Sequence, residues 1–212
     1  MKETGLMFKA PLVRAILNGQ KTATRRLFTA KNGGVWPNPN DKPGMAQILR
    51  SCKYGRIGDL IYVRETFARV PTACGSDELV YAADYQDGSD KAAGVKYTPC
   101  LLMSKSAARI WLEVTGVRVE RLNSISEQDA ISEGCETVCM TPTGDDNGSA
   151  IYGSGGFAEL WDSTTGRPVL PKNPNSTRYA RVKQCLDTHP DTTSWAANPW
   201  VWVIDFKRIE KP

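Results

Sequence analysis

Along residues 108–119 the chain alternates in character with a period of two. Ile110, Leu112 and Val114 fall on one side, and Trp111, Glu113 and Thr115 on the other. Successive side chains of a strand point to opposite faces, so this segment predicts a long, half-buried β-strand, and a chain built around it must form a sheet. The closing run Trp200-Val201-Trp202-Val203-Ile204-Asp205-Phe206 is of strand length and almost wholly apolar, as expected of a strand buried inside that sheet. Further strands are predicted at Leu6-Met7-Phe8 and at residues 22–27, 60–67 and 79–82.

Helices are expected to be few and short. Residues 10–19 carry Pro11 in the first turn, Leu12 and Ile16 four apart, and Gly19 as the stop. Residues 124–134 begin with serines suited to capping, place acids in the first turns and end on Gly134. Phe157-Ala158-Glu159-Leu160-Trp161 opens a third, and residues 178–186 suit a fourth. No internal repeat is present, and strands and helices do not alternate in the doubly wound manner. The expectation is an α+β fold, a small and mostly antiparallel β-barrel with peripheral helices. The 212 residues fit one domain, 1–212, in which the Gly, Asn and Pro content marks long loop insertions at about 28–54 and 140–197.

Several classes of function are excluded by composition. The longest apolar stretches fall far short of the roughly 20 residues a membrane helix needs, so no membrane partner is expected. The first residues lack a signal peptide's apolar core, which predicts a cytoplasmic protein. Six scattered cysteines read as free thiols. Cys135 and Cys139 have no second close pair, and His189 is the single histidine, in a polar segment. No metal site, no histidine-based nucleophile and no cofactor are therefore expected.

Charge is unevenly spread. Residues 1–60 hold 11 lysines and arginines against 3 acids, whereas the remaining 152 hold 16 against 20. Such a start suits either a phosphate-bearing ligand or a solvated face. Its densest part, Gly19-Gln20-Lys21-Thr22-Ala23-Thr24-Arg25-Arg26, sets an amine, two hydroxyls and two guanidiniums at the junction of a helix and a strand. An amine serves as a base when burial or nearby cations lower its pKa, and a threonine hydroxyl needs such a base to act as a nucleophile. Arg25 and Arg26 can supply that push, or bind phosphate or a base edge.

The pattern Gly19-x-Lys21-x-x-x-x-Arg26 after a short helix resembles the signature of the ASCH family. The resemblance continues in Gly58-Asp59-Leu60-Ile61-Tyr62-Val63-Arg64-Glu65, in Leu112-Glu113-Val114-Thr115 and in the segment 198–206. In order and character the four blocks look like the longer ASCH proteins of phages and prophages, and they cover roughly half the chain. The insertions lie outside them.

The resemblance implies a PUA-like barrel. Its catalytic branch implies an amidohydrolase acting on a modified nucleoside or nucleotide, in concrete terms an N4-acylated cytidine. The implied catalytic residues are Lys21, Thr24 and Glu113: Thr24 attacks the amide carbonyl, Lys21 shuttles the proton, and Glu113 orients the site or balances its charge. Arg25, Arg26, Arg64, Glu65 and Trp111 are the candidate substrate-binding residues. Trp111 is either a stacking ring for a base or core, and Arg64 and Glu65 are either site residues or a structural ion pair. Other members of the family bind or cleave RNA, so a non-catalytic RNA-binding module is the alternative, followed by a phage accessory protein without catalysis.

Overall fold

The computed structural model describes residues 1–28, 49, 51–72, 74–85, 94–135, 154–164 and 193–212. The chain opens with strand β1 (Glu3–Met7), helix α1 (Ala10–Leu17) and strand β2 (Ala23–Leu27). Strands β3 (Leu60–Arg64), β4 (Phe67–Pro71) and β5 (Asp77–Tyr81) follow. The longest strand, β6 (Trp111–Arg121), leads to helix α2 (Glu127–Ser132); helix α3 (Ser154–Thr164) and strand β7 (Trp200–Ile209) complete the order. The predicted segment 178–186, Cys139, Cys185, His189 and most of both insertions lie outside the described residues.

Five strands form one sheet in the order β1-β3-β6-β7-β2, and β4 and β5 pair separately. The β1–β3 pairing is parallel, while the others are antiparallel. The fold is thus mixed α+β and dominated by sheet. No ladder joins edge strands β1 and β2 among the described residues, so the expected closed barrel is not seen there. A side chain spans the gap instead: Arg26 Nη2 donates to the Met7 carbonyl at 2.7 Å, and its guanidinium lies 5.2 Å from the centre of the Phe8 ring. Helix α1, which links the two edge strands, packs Val13 and Ile16 into the same core as Leu6 and Phe8.

Strand β7 explains its own composition. Trp202, Ile204 and Phe206 enter the main core with Ile61, Val63, Leu112 and Val114, while Val201 and Val203 join Phe157, Trp161 and Ala130 on the opposite face. A strand covered on both faces has no reason to alternate. Each fully buried aliphatic side chain here contributes roughly 1.5–3 kcal/mol.

Two strand expectations are corrected. The predicted strand at 60–67 is two strands. After Val63, whose amide bonds the Ile110 carbonyl, β6 offers no further partner, and the chain leaves the ladder at Glu65-Thr66. The alternation at 108–119 also breaks: Val114 opposes Phe206 but Gly116 opposes Asp205, so Thr115 is an extra residue in a bulge. A Cβ at Gly116 would stand 2.6 Å from Asp205 Oδ2, so a side chain there would displace the carboxylate that Arg118 holds.

Candidate active site at the outer edge of strand β2

Helix α1 ends at Leu17 with Asn18 as its cap, and Gly19, at φ +74°, reverses the chain. The amides of Gln20 and Lys21 both return to the Ala15 carbonyl, at 2.9 and 3.0 Å, which fixes where the Lys21 side chain starts. The Thr22 carbonyl accepts from Phe206 N on the β7 side, so the next carbonyl, Ala23 O, faces away from β7. Lys21 Nζ meets it there at 2.7 Å.

The other partners of that amine come from α2. Ser126 caps this helix reciprocally with Asp129, and Gly134, at φ +83°, ends it. At that terminus Lys21 Nζ donates to the Glu133 carbonyl at 2.8 Å and to Glu133 Oε2 at 2.6 Å. Lys21 is only 2% exposed and Glu133 4%. Burial holds the Lys21 amine below its usual range, and the Glu133 carboxylate opposes that effect without cancelling it. Burial likewise raises the Cys135 thiol nearby to about 11.

Thr24, also buried, is paired across the ladder with Ile204. Arg25, paired with Val203, projects to the opposite face. Its guanidinium lies 5.9 Å from the Phe157 ring centre, 3.5 Å from Glu133 Oε1, and within 3.2 and 3.4 Å of Asp129 and Glu120. Arg26 shares the Phe8 side with Lys21, whose amine is 5.9 Å from that ring's centre. Arg26 forms no ion pair among the described residues, and burial lowers its pKa. Lys21, Thr24, Arg25 and Arg26 therefore surround one edge of one strand.

Glu113 is not brought to this edge. It pairs across the ladder with Lys207 and is bonded to it at 3.0 Å. On β7, Lys207 and Thr24's partner Ile204 are three residues apart, so the side chains of Glu113 and Thr24 stand on opposite faces of the sheet. The carboxylate that meets Lys21 is Glu133, which residue types and spacing did not single out. Its signal was present all the same: an acid at the C-terminal end of a short helix opposes the helix dipole unless a cation answers it.

The remaining candidates lie elsewhere. Trp111 is 1% exposed, with Tyr62 5.8 Å away on ring centres and Lys105 Nζ over its ring at 5.4 Å. Arg64 donates to the Leu101 carbonyl. Glu65 is held by Arg109 at 2.9 and 3.1 Å, and Arg109 also binds Asp84 and lies 4.0 Å from the Tyr81 ring centre. Glu65 thus has its ion pair with Arg109, and Arg64 and Glu65 do not pair with each other among the described residues. A cleft of about 500 Å³ between Leu17, Arg109 and the end of β7 contains none of the Lys21 cluster, and its cations Arg109, Arg208 and Lys211 are each bonded to oxygens of the chain itself. Among the described residues no group of three His, Cys, Asp or Glu side chains is arranged to hold a metal, and no helix is long and apolar enough to cross a membrane.

No family model and no curated protein matches the chain. Two solved structures are similar to it. One is the high-resolution crystal structure of an ASCH domain from Lactobacillus crispatus JV V101, 14% identical, with 99% of this chain and 81% of that chain covered and a TM-score of 0.38. The other is the hypothetical protein PH0355, 13% identical, with 99% of this chain and all of that chain covered and a TM-score of 0.30.

Proposed function

We propose that the chain is an ASCH-type amidohydrolase of N4-acylated cytidine-type nucleosides or nucleotides, with Lys21, Thr24 and Glu133 as its working residues. The observation that carries the reading is the buried Lys21 amine, held over the peptide that leads into Thr24 and depressed in proton affinity by burial. A solvated basic turn would leave that lysine in water.

In the first half-reaction Lys21, after losing to solvent one of the three protons it donates at rest, takes the proton of the Thr24 hydroxyl as its Oγ attacks the amide carbonyl carbon. The C–N bond then breaks, and Lys21 returns the proton to the departing exocyclic nitrogen, leaving an acyl ester on Thr24. In the second, water attacks the ester and gives its proton to Lys21. That proton passes to Thr24 Oγ as the ester C–O bond breaks and the carboxylic acid leaves. Glu133, 2.6 Å from Nζ, stabilises the ammonium each time it forms, the role the family resemblance implies for Glu113. Arg26, a cation with no carboxylate partner among the described residues, is the group suited to a carbonyl oxygen or phosphate of the substrate.

Incubation with N4-acetylcytidine, followed by chromatography for cytidine, tests this reading. Turnover is expected from the wild type and from Glu113→Gln, with losses of at least about 100-fold in Thr24→Ala and in Lys21→Met. Absence of turnover by the wild type, or full turnover by Thr24→Ala, overturns it. Salt-dependent RNA binding that Thr24→Ala leaves unchanged would support the non-catalytic reading.

A further inference from the structure

Lys21 and Arg25 face the two oxygens of a single carboxylate. Glu133 Oε2 accepts from Lys21, while Oε1 lies 3.5 Å from Arg25 Nη1 and has no hydrogen-bond partner. The Arg25 side chain is fully buried, and its Nε and Nη1 also lack hydrogen-bond partners. Its Nη2 reaches Asp129 and Glu120, but both of these are shared. Arg118 takes the other oxygen of each, Glu120 Oε1 at 2.6 Å and Asp129 Oδ1 at 3.0 Å, and binds Asp205 as well. A buried guanidinium with only part-shares in two carboxylates leaves positive charge directed at the third.

We infer that Arg25 is a positioning residue that acts on Lys21 through Glu133: it draws on the carboxylate that would otherwise serve the amine alone, weakens the hold of Lys21 on its proton, and is itself restrained by Asp129. The inference rests on the reading of Lys21 as the base. Among the described residues, the charged and titratable groups facing the amine are Glu133 and Cys135 from the segment after α2 and Arg26 from β2, while the segment from β1 through α1 contributes the Phe8 ring and backbone. Arg25 thus has one route to Lys21, the Glu133 carboxylate.

Two substitutions should move Lys21 in opposite directions. Arg25→Met leaves Glu133 to Lys21 alone and should raise the amine's pKa by on the order of one unit. Asp129→Asn releases Arg25 towards Glu133 and should lower it. The readout is the pH titration of the Lys21 side-chain resonance in lysine-labelled protein, assigned by its loss in Lys21→Met. In the Glu133→Gln background the effect of Arg25→Met should largely vanish.

General loosening of the site would admit water and raise the pKa in both variants. Shifts of the same sign, an unmoved resonance in either variant, or a full Arg25→Met effect without the Glu133 charge overturns the inference. Asp129 is part-exposed, so its variant keeps the test decisive if Arg25→Met does not fold. The titration needs no substrate, so absence of turnover would remove the amidohydrolase reading and leave this result standing.

Discussion

At the scale of single residues, the pair that matters is Lys21 with Glu133. A buried ion pair is weak evidence for net stability, but removing one partner strands the other in a medium that cannot solvate it. Glu133→Gln should therefore destabilise the fold by about 3 kcal/mol in urea unfolding at neutral pH. Glu113→Gln, which breaks only an exposed contact with Lys207, should stay within about 0.5 kcal/mol of wild type.

The buried amine and thiol also predict how stability depends on pH. Below its depressed folded pKa Lys21 is protonated in both states; between that value and 10.5 the unfolded chain binds the proton more tightly, so stability rises with pH across that window. Cys135 acts in the opposite sense. Its thiol keeps its proton in the folded state from 9.0 up to about 11, so stability falls through that range. Denaturant midpoints measured from pH 7 to 11 should lose the rise in Lys21→Met and the alkaline fall in Cys135→Ala.

At the scale of elements, the site depends on two chain reversals. Gly19 turns α1 into the Lys21 segment, and Gly134 turns α2 back so that Glu133 abuts it. Gly134 has no room for a side chain: a Cβ would stand 2.9 Å from Ala15 Cβ and 3.2 Å from Lys21 Cβ, on a backbone at φ +83°. Gly134→Ala should cost more than 1 kcal/mol and displace Lys21. Calorimetry would report the first effect and the Lys21 resonance the second. Gly19→Ala meets nothing within 4 Å and should carry only the backbone strain.

For the whole molecule, the β6–β7 pair is the organising unit. It has the longest ladder, and β7 is buried on both faces. The β4–β5 hairpin stands outside the five-stranded sheet and packs on a small cluster around Phe67 and Met103. Hydrogen exchange should therefore find the slowest amides in Val201–Ile204 and their β6 partners, and substantially faster exchange in β4 and β5. Uniform protection across both sheets would refute this hierarchy.

Much of the secondary structure was legible in the chain because it is a local matter. The alternation at Ile110, Leu112 and Val114, the apolar run at 200–206, and Pro11 and Gly19 around α1 each act within a few residues, and all four appear in the fold. The Lys21-Thr24-Arg25-Arg26 cluster was legible for the same reason, as a dense run on one strand edge. The carboxylate that completes it was not. Opposition across a sheet depends on register and on which face each residue takes, and the bulge at Thr115 resets that register part-way along β6. Glu113 and Glu133 are chemically the same group, so residue type cannot choose between them. The choice fell to the reversal at Gly134, which puts Glu133 on Lys21, and to the pairing that gives Glu113 to Lys207. Local sequence is enough for most of the strands, the helix ends and the basic edge, though not for the break that splits 60–67 into β3 and β4. Which acid the buried amine meets, and the bridging of the edge strands by Arg26, follow from folding alone, because both are contacts between segments whose relative placement is set by the packing of the whole core.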